Sequence, residues 1–414
     1  MSISATEQQE STSRPSTVAN TAEPVTALIL SGGGARAAYQ VGVLAGIAEL
    51  LPKDAKNPFP VIVGTSAGAI NAVKLASGAA QFRTAIHELT VFWQSFRSHQ
   101  VLRSDWVGVI RQAARFFGRS LLGIGRKQVP VALLNSSPLR QLLTERLNLS
   151  GIDEAIEGQH LRAVAVTAFG YESGQAVTFY QGKGSIDSWL RHRRIGLPTR
   201  LTVDHLLASS AIPLLFAPVK LDQEYFGDGA VRQSAPISPA LHLGANRVLV
   251  VGVSGNPRGP GALKPVQRVV SGTQPSLAQI SGHMLNSTFI DSLESDIELL
   301  ERLNLLSRLM PSHVAHQPSP QVAEGPTPVQ SLAPVEVLVI SPSQPLDEIA
   351  ARHRRELPPA LRTFLRGPGA TKTSGAGVLS YLLFESGYCS ELIELGRRDA
   401  LAQKEQLMKF LRLE

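Results

Sequence analysis

Ser66 lies in a stretch whose residue types and order could carry out nucleophilic catalysis. The β-branched residues 61–63 lead directly into Gly-Thr-Ser-Ala-Gly at 64–68, and a helix-forming run follows at 69–73. This order predicts a strand, a sharp turn and a helix, the arrangement of a nucleophile elbow. So sharp a turn leaves no room for Cβ atoms beside the central residue, which explains Gly64 and Gly68. Ser66 would then be exposed at the carboxyl end of a strand and at a helix amino end, whose partial positive charge favours the anion formed in acyl transfer.

A nucleophilic serine also needs donors for an oxyanion, and the run Gly32-Gly33-Gly34 offers them. It separates a buried-strand pattern at 25–30 from a helical pattern at 37–51. Consecutive glycines expose backbone N–H groups, and Arg36 could add charge or brace the loop. The run also fits G-x-G-x-x-A, the dinucleotide-binding pattern, which needs an acidic residue about 20 positions later. The second strand ends in Gly-Thr-Ser instead, so nucleotide binding is the weaker alternative.

Asp228 is the candidate base. Glycines on both sides leave its carboxylate unshielded by neighbouring side chains. An ordinary Asp has a pKa near 3.9, so burial beside Ser66 would have to raise that pKa or the geometry would have to compensate. The plain structural alternative is an Asp-Gly turn. A Ser-Asp-His triad would need a later histidine, but His242 lies in a helix-like run and His205 precedes Asp228, so we expect both to be packing or surface residues.

Composition sets the broad class of the protein. The chain has 414 residues, 43% hydrophobic, 18% charged and 6% aromatic, which is typical of a soluble α/β protein. Its one cysteine, Cys389, rules out an intramolecular disulfide or a multi-cysteine metal site, which suits a reducing, cytoplasmic compartment. Residues 1–24 have no apolar core and predict a disordered tail rather than a signal peptide. No later run approaches the roughly 18 consecutive apolar residues of a membrane span.

Most of the net charge of +7 sits in residues 97–127, where seven basic residues face a single acid. Within it, residues 106–122 place Arg111, Arg115 and Arg119 on one helical face and Trp, Phe and aliphatic residues on the other. A basic amphipathic helix of this kind is typical of segments lying on an anionic membrane surface. The alternative is an amphipathic helix packed on its own domain. Aromatic residues are not interleaved with the basic ones, so nucleic acid is a weak candidate partner.

The order of patterns indicates one catalytic core followed by an extension. Strand patterns at 25–30 and 61–65 flank a helical pattern and predict a β-α-β unit with a parallel strand pair. Further strands are expected at 161–168, 176–180, 214–221, 224–226 and 247–253. After the core, 25–253, the region 254–414 carries a long helical pattern at 277–309, a Pro-rich loop at 311–334, a strand at 335–340 and two helices across 376–413.

Four segments, taken in order, resemble the patatin-like phospholipase family: Gly-Gly-Gly-Ala-Arg at 32–36, Gly-Thr-Ser-Ala-Gly at 64–68, Ala-Ser-Ser-Ala-Ile-Pro at 208–213 and Asp-Gly-Ala at 228–230. The third position of the last motif, Ala230, is a glycine in many members. The resemblance implies a three-layer α/β/α fold with a mostly parallel sheet. It also implies Ser66 as nucleophile, Asp228 as general base, and Gly32, Gly33, Gly34 and Arg36 at the oxyanion hole.

The resemblance further implies a lipid acyl hydrolase that cleaves fatty acyl esters of phospholipids or lysophospholipids through an acyl-enzyme, without metal or cofactor. Such an enzyme would be cytoplasmic and would contact membranes peripherally. The alternative from another class is a catalytically silent member of the same fold that acts as a membrane-associated regulatory or scaffold protein.

Overall fold

The structure is a computed structural model that describes residues 24–101, 132, 134–213, 215–232, 237–254, 280, 283–284, 292–309, 334–359, 362–363 and 376–413. Four sequence predictions fall wholly or largely outside these ranges: the N-terminal tail, most of the basic segment, the Pro-rich loop and the first part of the long helix. Within the described ranges, no helix has both the length and the apolar character that crossing a bilayer requires.

The strands form where short apolar, β-branched runs are bounded by glycine, proline or polar residues. In chain order they are β1 (Thr26–Leu30), β2 (Val61–Thr65), β3 (Ala163–Gly170), β4 (Ala176–Gly182), β5 (Trp189–Arg191), β6 (Arg194–Pro198), β7 (Val219–Leu221), β8 (Glu224–Asp228), β9 (Arg247–Val251) and β10 (Glu336–Ile340). They belong to one sheet with the spatial order β10-β9-β1-β2-β3-β4-β6-β5, and β8 pairs with both β3 and β7.

The α-helices of the described ranges connect and cover these strands. They are α1 (Ala38–Leu50), α2 (Ala67–Ser77), α3 (Phe82–Gln94), α4 (Ser98–Val101), α5 (Ser137–Arg146), α6 (Ser150–Glu157), α7 (Val203–Ser209), α8 (Ile237–His242), α9 (Ser292–Leu309), α10 (Leu346–His353), α11 (Ala376–Leu382), α12 (Ser386–Ala402) and α13 (Lys404–Leu411). Short 3₁₀ helices follow the glycine loop (Gly34–Ala37) and Asp228 (Gly229–Val231).

The sheet is buried on both faces, which confirms the predicted three-layer α/β fold. Side chains alternate between two apolar cores: Leu28 and Leu30 of β1 pack into one core, and Ala27 and Ile29 into the other. From β10 through β9, β1 and β2 to β3 the strands are parallel. Beyond β3 they run in both directions. Parallel strands place their carboxyl ends at one edge, where a site can be assembled.

The C-terminal region contributes to the same layers as the N-terminal region. β10 is the edge strand beside β9, and the Tyr39 hydroxyl of α1 donates to Asp399 Oδ2 of α12 at 3.0 Å. Three helices, rather than the two predicted, occupy residues 376–411. The breaks between the three helices lie at residues 383–385 and at Gln403. Helical periodicity reports the spacing of apolar residues and does not specify tertiary contacts, so it does not locate such breaks.

Candidate active site

Ser66 occupies the turn between β2 and α2. The strand ends at Thr65, the helix begins at Ala67, and Ser66 has φ 56° and ψ −129°. A positive φ is uncommon for a residue with a side chain and is maintained only where the surroundings require it. A Cβ on Gly68 would overlap the Leu30 carbonyl oxygen. The predicted strand, turn and helix are therefore present, although the side chain is buried rather than exposed, with 2% of Ser66 accessible to solvent.

Asp228 is brought to this turn by the pairing of strand β3. Strands β2 and β8 both pair with the side of β3 that β4 does not occupy. β2 is parallel to β3, with Thr65 opposite Thr167, and β8 is antiparallel to β3, with Asp228 opposite Ala168. The last residues of β2 and β8 therefore face adjacent positions of one strand. Ser66 and Asp228 are 162 positions apart in sequence, but they are neighbours at the sheet edge.

The two side chains form a direct hydrogen bond. The Ser66 hydroxyl donates to Asp228 Oδ2 at 2.6 Å, and the other carboxylate oxygen, Oδ1, accepts from the Ala230 amide at 2.9 Å. Asp228 is completely buried. A hydroxyl within hydrogen-bonding reach of a carboxylate has the geometry needed for proton transfer during nucleophilic attack.

Residues 209–211 fix the backbones of both partners. The Ser66 amide donates to the Ser209 hydroxyl at 2.8 Å, and that hydroxyl donates to the Thr167 carbonyl at 2.6 Å. The Asp228 amide donates to the Ala211 carbonyl at 2.9 Å. The sequence motif at 208–213 was recognised by resemblance alone, and the structure gives it a physical function: it connects the two halves of the pair.

Burial changes the acidity of the carboxyl group. Loss of hydration raises the pKa of Asp228 from 3.8 to about 7, and the hydrogen bonds from Ser66 and from the Ala230 amide only partly oppose this rise. Such a rise is one of the two ways, beside a compensating geometry, in which Asp228 could act as a base at neutral pH. A carboxylate with a pKa near neutrality binds a proton far more readily than an ordinary Asp.

The glycine loop lies beside Ser66. Gly34 has φ 55° and lines the same pocket as Ser66. Among the described residues, neither the Gly33 nor the Gly34 amide has a backbone hydrogen-bond acceptor. Gly32 is buried between β1 and the 3₁₀ helix. Arg36 is 4% exposed, and its Nε donates to the Ser380 hydroxyl at 2.8 Å. It therefore braces the loop against the C-terminal region, one of the two functions that the sequence left open.

The pocket beside Ser66 is apolar and narrow. Its cavity volume is about 30 Å³, close to the space that one or two water molecules need. The lining side chains are mostly aromatic and aliphatic: Ile70, Trp93, Phe96, Val101, Leu139, Ile212, Phe216, Tyr381, Leu382 and Phe384. Sequence reasoning missed the contribution of 381–384, because no local pattern connects those residues with Ser66.

Both histidines considered as triad members have other contacts. His205 Nδ1 accepts a hydrogen bond from the Thr202 amide at 3.1 Å as part of a helix cap, and its ring packs on Phe179. His242 stacks on Trp189 with ring centroids 4.8 Å apart. Trp189 belongs to the apolar core on the sheet face opposite the one that contains Ala67. Their assignment to packing agrees with these contacts.

The region that contains this site matches a known protein family. The model of the family described as patatin-like phospholipase matches residues 28–241, slightly more than half of the chain. The chain belongs to the patatin-like phospholipase family. The matched residues run from the middle of β1 through β8, include Ser66 and Asp228, and end before β9.

Two relatives each match about half of this patatin-like chain. A cGAMP-activated phospholipase of Pseudomonas aeruginosa is 29% identical over 221 residues, which cover 52% of this chain and 55% of that protein. A cGAMP-activated phospholipase of Escherichia coli is 29% identical over 223 residues, covering 51% of this chain and 53% of that one. The match therefore spans about half the length of each relative.

Solved structures show a looser likeness. Human GIVD cytosolic phospholipase A2 is 13% identical with a TM-score of 0.43, covering 94% of this chain and 60% of that one. VipD from Legionella pneumophila is 12% identical with a TM-score of 0.34, covering 94% and 67%. The fold assignment of the patatin-like chain rests on its own sheet order and buried faces.

Proposed function

We propose that this chain is a lipid acyl hydrolase that uses Ser66 as nucleophile and Asp228 as general base. The observation that carries the proposal is the 2.6 Å hydrogen bond from the Ser66 hydroxyl to Asp228 Oδ2. Family membership and the apolar pocket beside Ser66 support an ester with a fatty acyl chain. The substrates that fit are phospholipids or lysophospholipids cut in the manner of a phospholipase A or a lysophospholipase.

The reaction has two halves, and in each half Asp228 accepts a proton from the attacking oxygen and passes it to the leaving oxygen. Ser66 Oγ attacks the ester carbonyl carbon while its proton passes to Asp228, and the carbonyl oxygen becomes an oxyanion near the Gly33 and Gly34 amides. Collapse of this intermediate breaks the bond to the alcohol oxygen, which takes the proton from Asp228 and leaves an acyl-Ser66 ester. Asp228 then accepts a proton from water, hydroxide attacks the acyl carbon, and Ser66 regains its proton as the fatty acid leaves.

Lipid substrates must be drawn from a surface, so the basic segment enters the proposal. Arg111, Arg115 and Arg119 lie outside the described residues, and their membrane role rests on the sequence pattern. Changing all three to Gln is expected to lower co-sedimentation with vesicles rich in anionic lipid, while binding to neutral vesicles stays unchanged. Equal sedimentation of the variant and the wild type with anionic vesicles would remove this part of the proposal.

The central experiment is hydrolysis of phosphatidylcholine and lysophosphatidylcholine vesicles, with fatty acid release measured by mass spectrometry. The wild type should release fatty acid and should be labelled on Ser66 by a fluorophosphonate, whereas Ser66→Ala should do neither. Because the cavity of about 30 Å³ is narrow and both relatives are named for activation by cGAMP, the assay is run with and without cGAMP. Ser390→Ala, on a helix that does not line the pocket, is the matched control.

Each result has a defined meaning. Fatty acid release that survives Ser66→Ala would assign the reaction to another residue. A wild type that is folded, unlabelled and inactive under both conditions would favour the alternative, a catalytically silent regulatory protein of the same fold.

A further inference from the structure

The helix α11 lies against the glycine loop, although it lies well beyond the residues 28–241 that the family model matches. The contact is so close that a Cβ on Gly34, which has φ 55°, would overlap the Tyr381 carbonyl oxygen. Only glycine permits this approach of two backbones. The position of the loop therefore depends on the position of Tyr381.

Arg36 is the second connection between the loop and α11. Its Nε donates to Ser380 Oγ at 2.8 Å, and Ser380 Oγ in turn donates to the Gly377 carbonyl at 2.6 Å. The guanidinium carbon lies 4.1 Å from the centre of the Tyr381 ring. Among the described residues, no carboxylate forms an ion pair with Arg36. A buried cation without an ionic partner depends on such hydrogen bonds and ring contacts.

The end of α11 and Phe384 just after it form one wall of the pocket beside Ser66. Tyr381, Leu382 and Phe384 all line it. The Phe384 ring lies 5.8 Å from the ring of Phe96 and 6.3 Å from that of Trp93, centre to centre. The far end of the segment is also fixed, because Glu385 Oε1 accepts a hydrogen bond from the Ser98 amide at 3.1 Å.

We infer that residues 380–384 complete the active site: Ser380 and Tyr381 are positioning residues that hold Arg36 and the glycine loop, and Leu382 and Phe384 set the length of acyl chain accepted. This inference rests on the proposed function and extends it to a region outside the family match. It follows from geometry, since one short segment contacts both the loop that would hold the oxyanion and the pocket that would hold the chain.

The positioning role is tested with Ser380→Ala and Tyr381→Leu. Loss of an oriented oxyanion donor weakens the transition state, so kcat should fall about tenfold or more while KM changes little. In a double-mutant cycle with Arg36→Gln, the losses should be less than additive, because all three changes disrupt one contact. Ser390→Ala should keep wild-type kcat. If Ser380→Ala and Tyr381→Leu fold and both retain wild-type kcat, the positioning role is wrong.

The specificity role is tested with p-nitrophenyl esters of graded chain length. Phe384→Ala enlarges the pocket and should move the best substrate to longer chains, and Phe384→Trp should move it to shorter ones. Phe410→Leu, a buried aromatic change under Arg247 and away from the pocket, should leave the profile unchanged. Should Phe384→Ala fail to fold, Leu382→Val and Phe384→Met provide the same comparison.

The outcomes separate this inference from the proposed function. If the wild type hydrolyses esters through Ser66 and the variants at 380–384 behave like the two controls, the inference is wrong and the proposed function stands. If the wild type hydrolyses no ester, both are wrong together.

Discussion

Two carboxylates in this molecule, Asp228 and Glu391, meet opposite surroundings. Asp228 is completely buried, and its hydrogen-bond donors are the neutral Ser66 hydroxyl and the Ala230 amide. The Glu391 side chain is 36% exposed and contacts the Arg352 guanidinium and, at 2.5 Å, His353 Nε2, which is cationic when the ring is protonated. Burial raises the pKa of Asp228 to about 7. Burial acts in the same direction on Glu391, but hydrogen bonds and charges of His353 and Arg352 outweigh it and lower its pKa.

The partners of a carboxylate, and not its residue type, decide whether it holds a proton near neutral pH or stays ionised. A carboxylate that neutral donors surround in a dry site holds a proton near neutral pH and can exchange it with a hydroxyl. A carboxylate paired with cations stays ionised and connects elements, as Glu391 connects α12 to the end of α10. Four predictions follow from this contrast.

The largest effect is expected from removing the charge of Asp228. Asp228→Asn keeps the shape of the side chain, and its Oδ1 can still accept from the Ala230 amide. The NH₂ group that replaces Oδ2 donates rather than accepts and cannot take the Ser66 proton, so kcat/KM for ester hydrolysis should fall by roughly 10²–10⁴-fold. Glu391→Gln is the same change in the other carboxylate site and should leave kcat/KM near the wild-type value. Similar losses in the two variants, or full activity in Asp228→Asn, would contradict the assignment of the base.

The pH dependence of activity should follow the ionisation of Asp228. The carboxylate form accepts the proton, so kcat/KM should fall about tenfold per pH unit below the pKa of about 7. A profile of kcat/KM measured from pH 4 to pH 9 on a short-chain ester shows this fall as its acid limb. An acid limb centred near pH 4 would mean that Asp228 keeps an ordinary pKa in the folded enzyme.

Stability should respond to Asp228→Asn in the direction opposite to activity. The folded pKa is raised above the unfolded value, so between about pH 4 and 7 the unfolded state is ionised while the folded state keeps its proton, and stability falls as pH rises through this window. At pH 8, removing the buried charge should stabilise the fold by on the order of 3 kcal/mol. Thermal unfolding should show this gain at pH 8 and much less at pH 4.5; equal shifts at both would contradict it.

The smallest effect is expected at the paired site. Burial alone would lower the pKa of His353, but hydrogen bonds and charges of Glu391 and Glu356 together raise it. The stability that His353 contributes is therefore present at low pH and is lost as pH rises through the raised pKa. His353→Gln should destabilise by roughly 0.5–1 kcal/mol at pH 5.5 and by less at pH 8.5, measured by thermal unfolding. The acid limb of the activity profile should not move.

The predictable part of the site was the part built from consecutive residues. The turn at Ser66 follows from a β-branched strand, two glycines and a helix-forming run, because sterics act between neighbours in the chain. The glycine loop after β1 was predictable for the same reason, since it consists of consecutive glycines between a strand pattern and a helical pattern. Strands β5 and β6 were not predicted, because β5 is only three residues long and β6 contains Gly196 and Pro198, which are unfavourable in strands. The two strands pair with each other, and β6 also pairs with β4.

Flanking glycines made Asp228 a candidate base, but only the family resemblance favoured its pairing with Ser66 over a simple Asp-Gly turn, since no periodicity connects residues 162 positions apart. Register along β3 decides it in the structure, by ending β2 and β8 opposite Thr167 and Ala168. The pKa of Asp228 is likewise a property of burial, which the sequence around it does not specify.

The amino-acid sequence by itself thus determined where a nucleophile and an oxyanion loop could form, because both depend on backbone conformations that a few adjacent residues fix. Only the tertiary structure decided which carboxylate meets Ser66, how readily it holds a proton, and that Ser380, Tyr381 and Phe384 enclose the pocket. Those properties arise from contacts between distant segments and from the exclusion of water, and neither exists until the chain has folded.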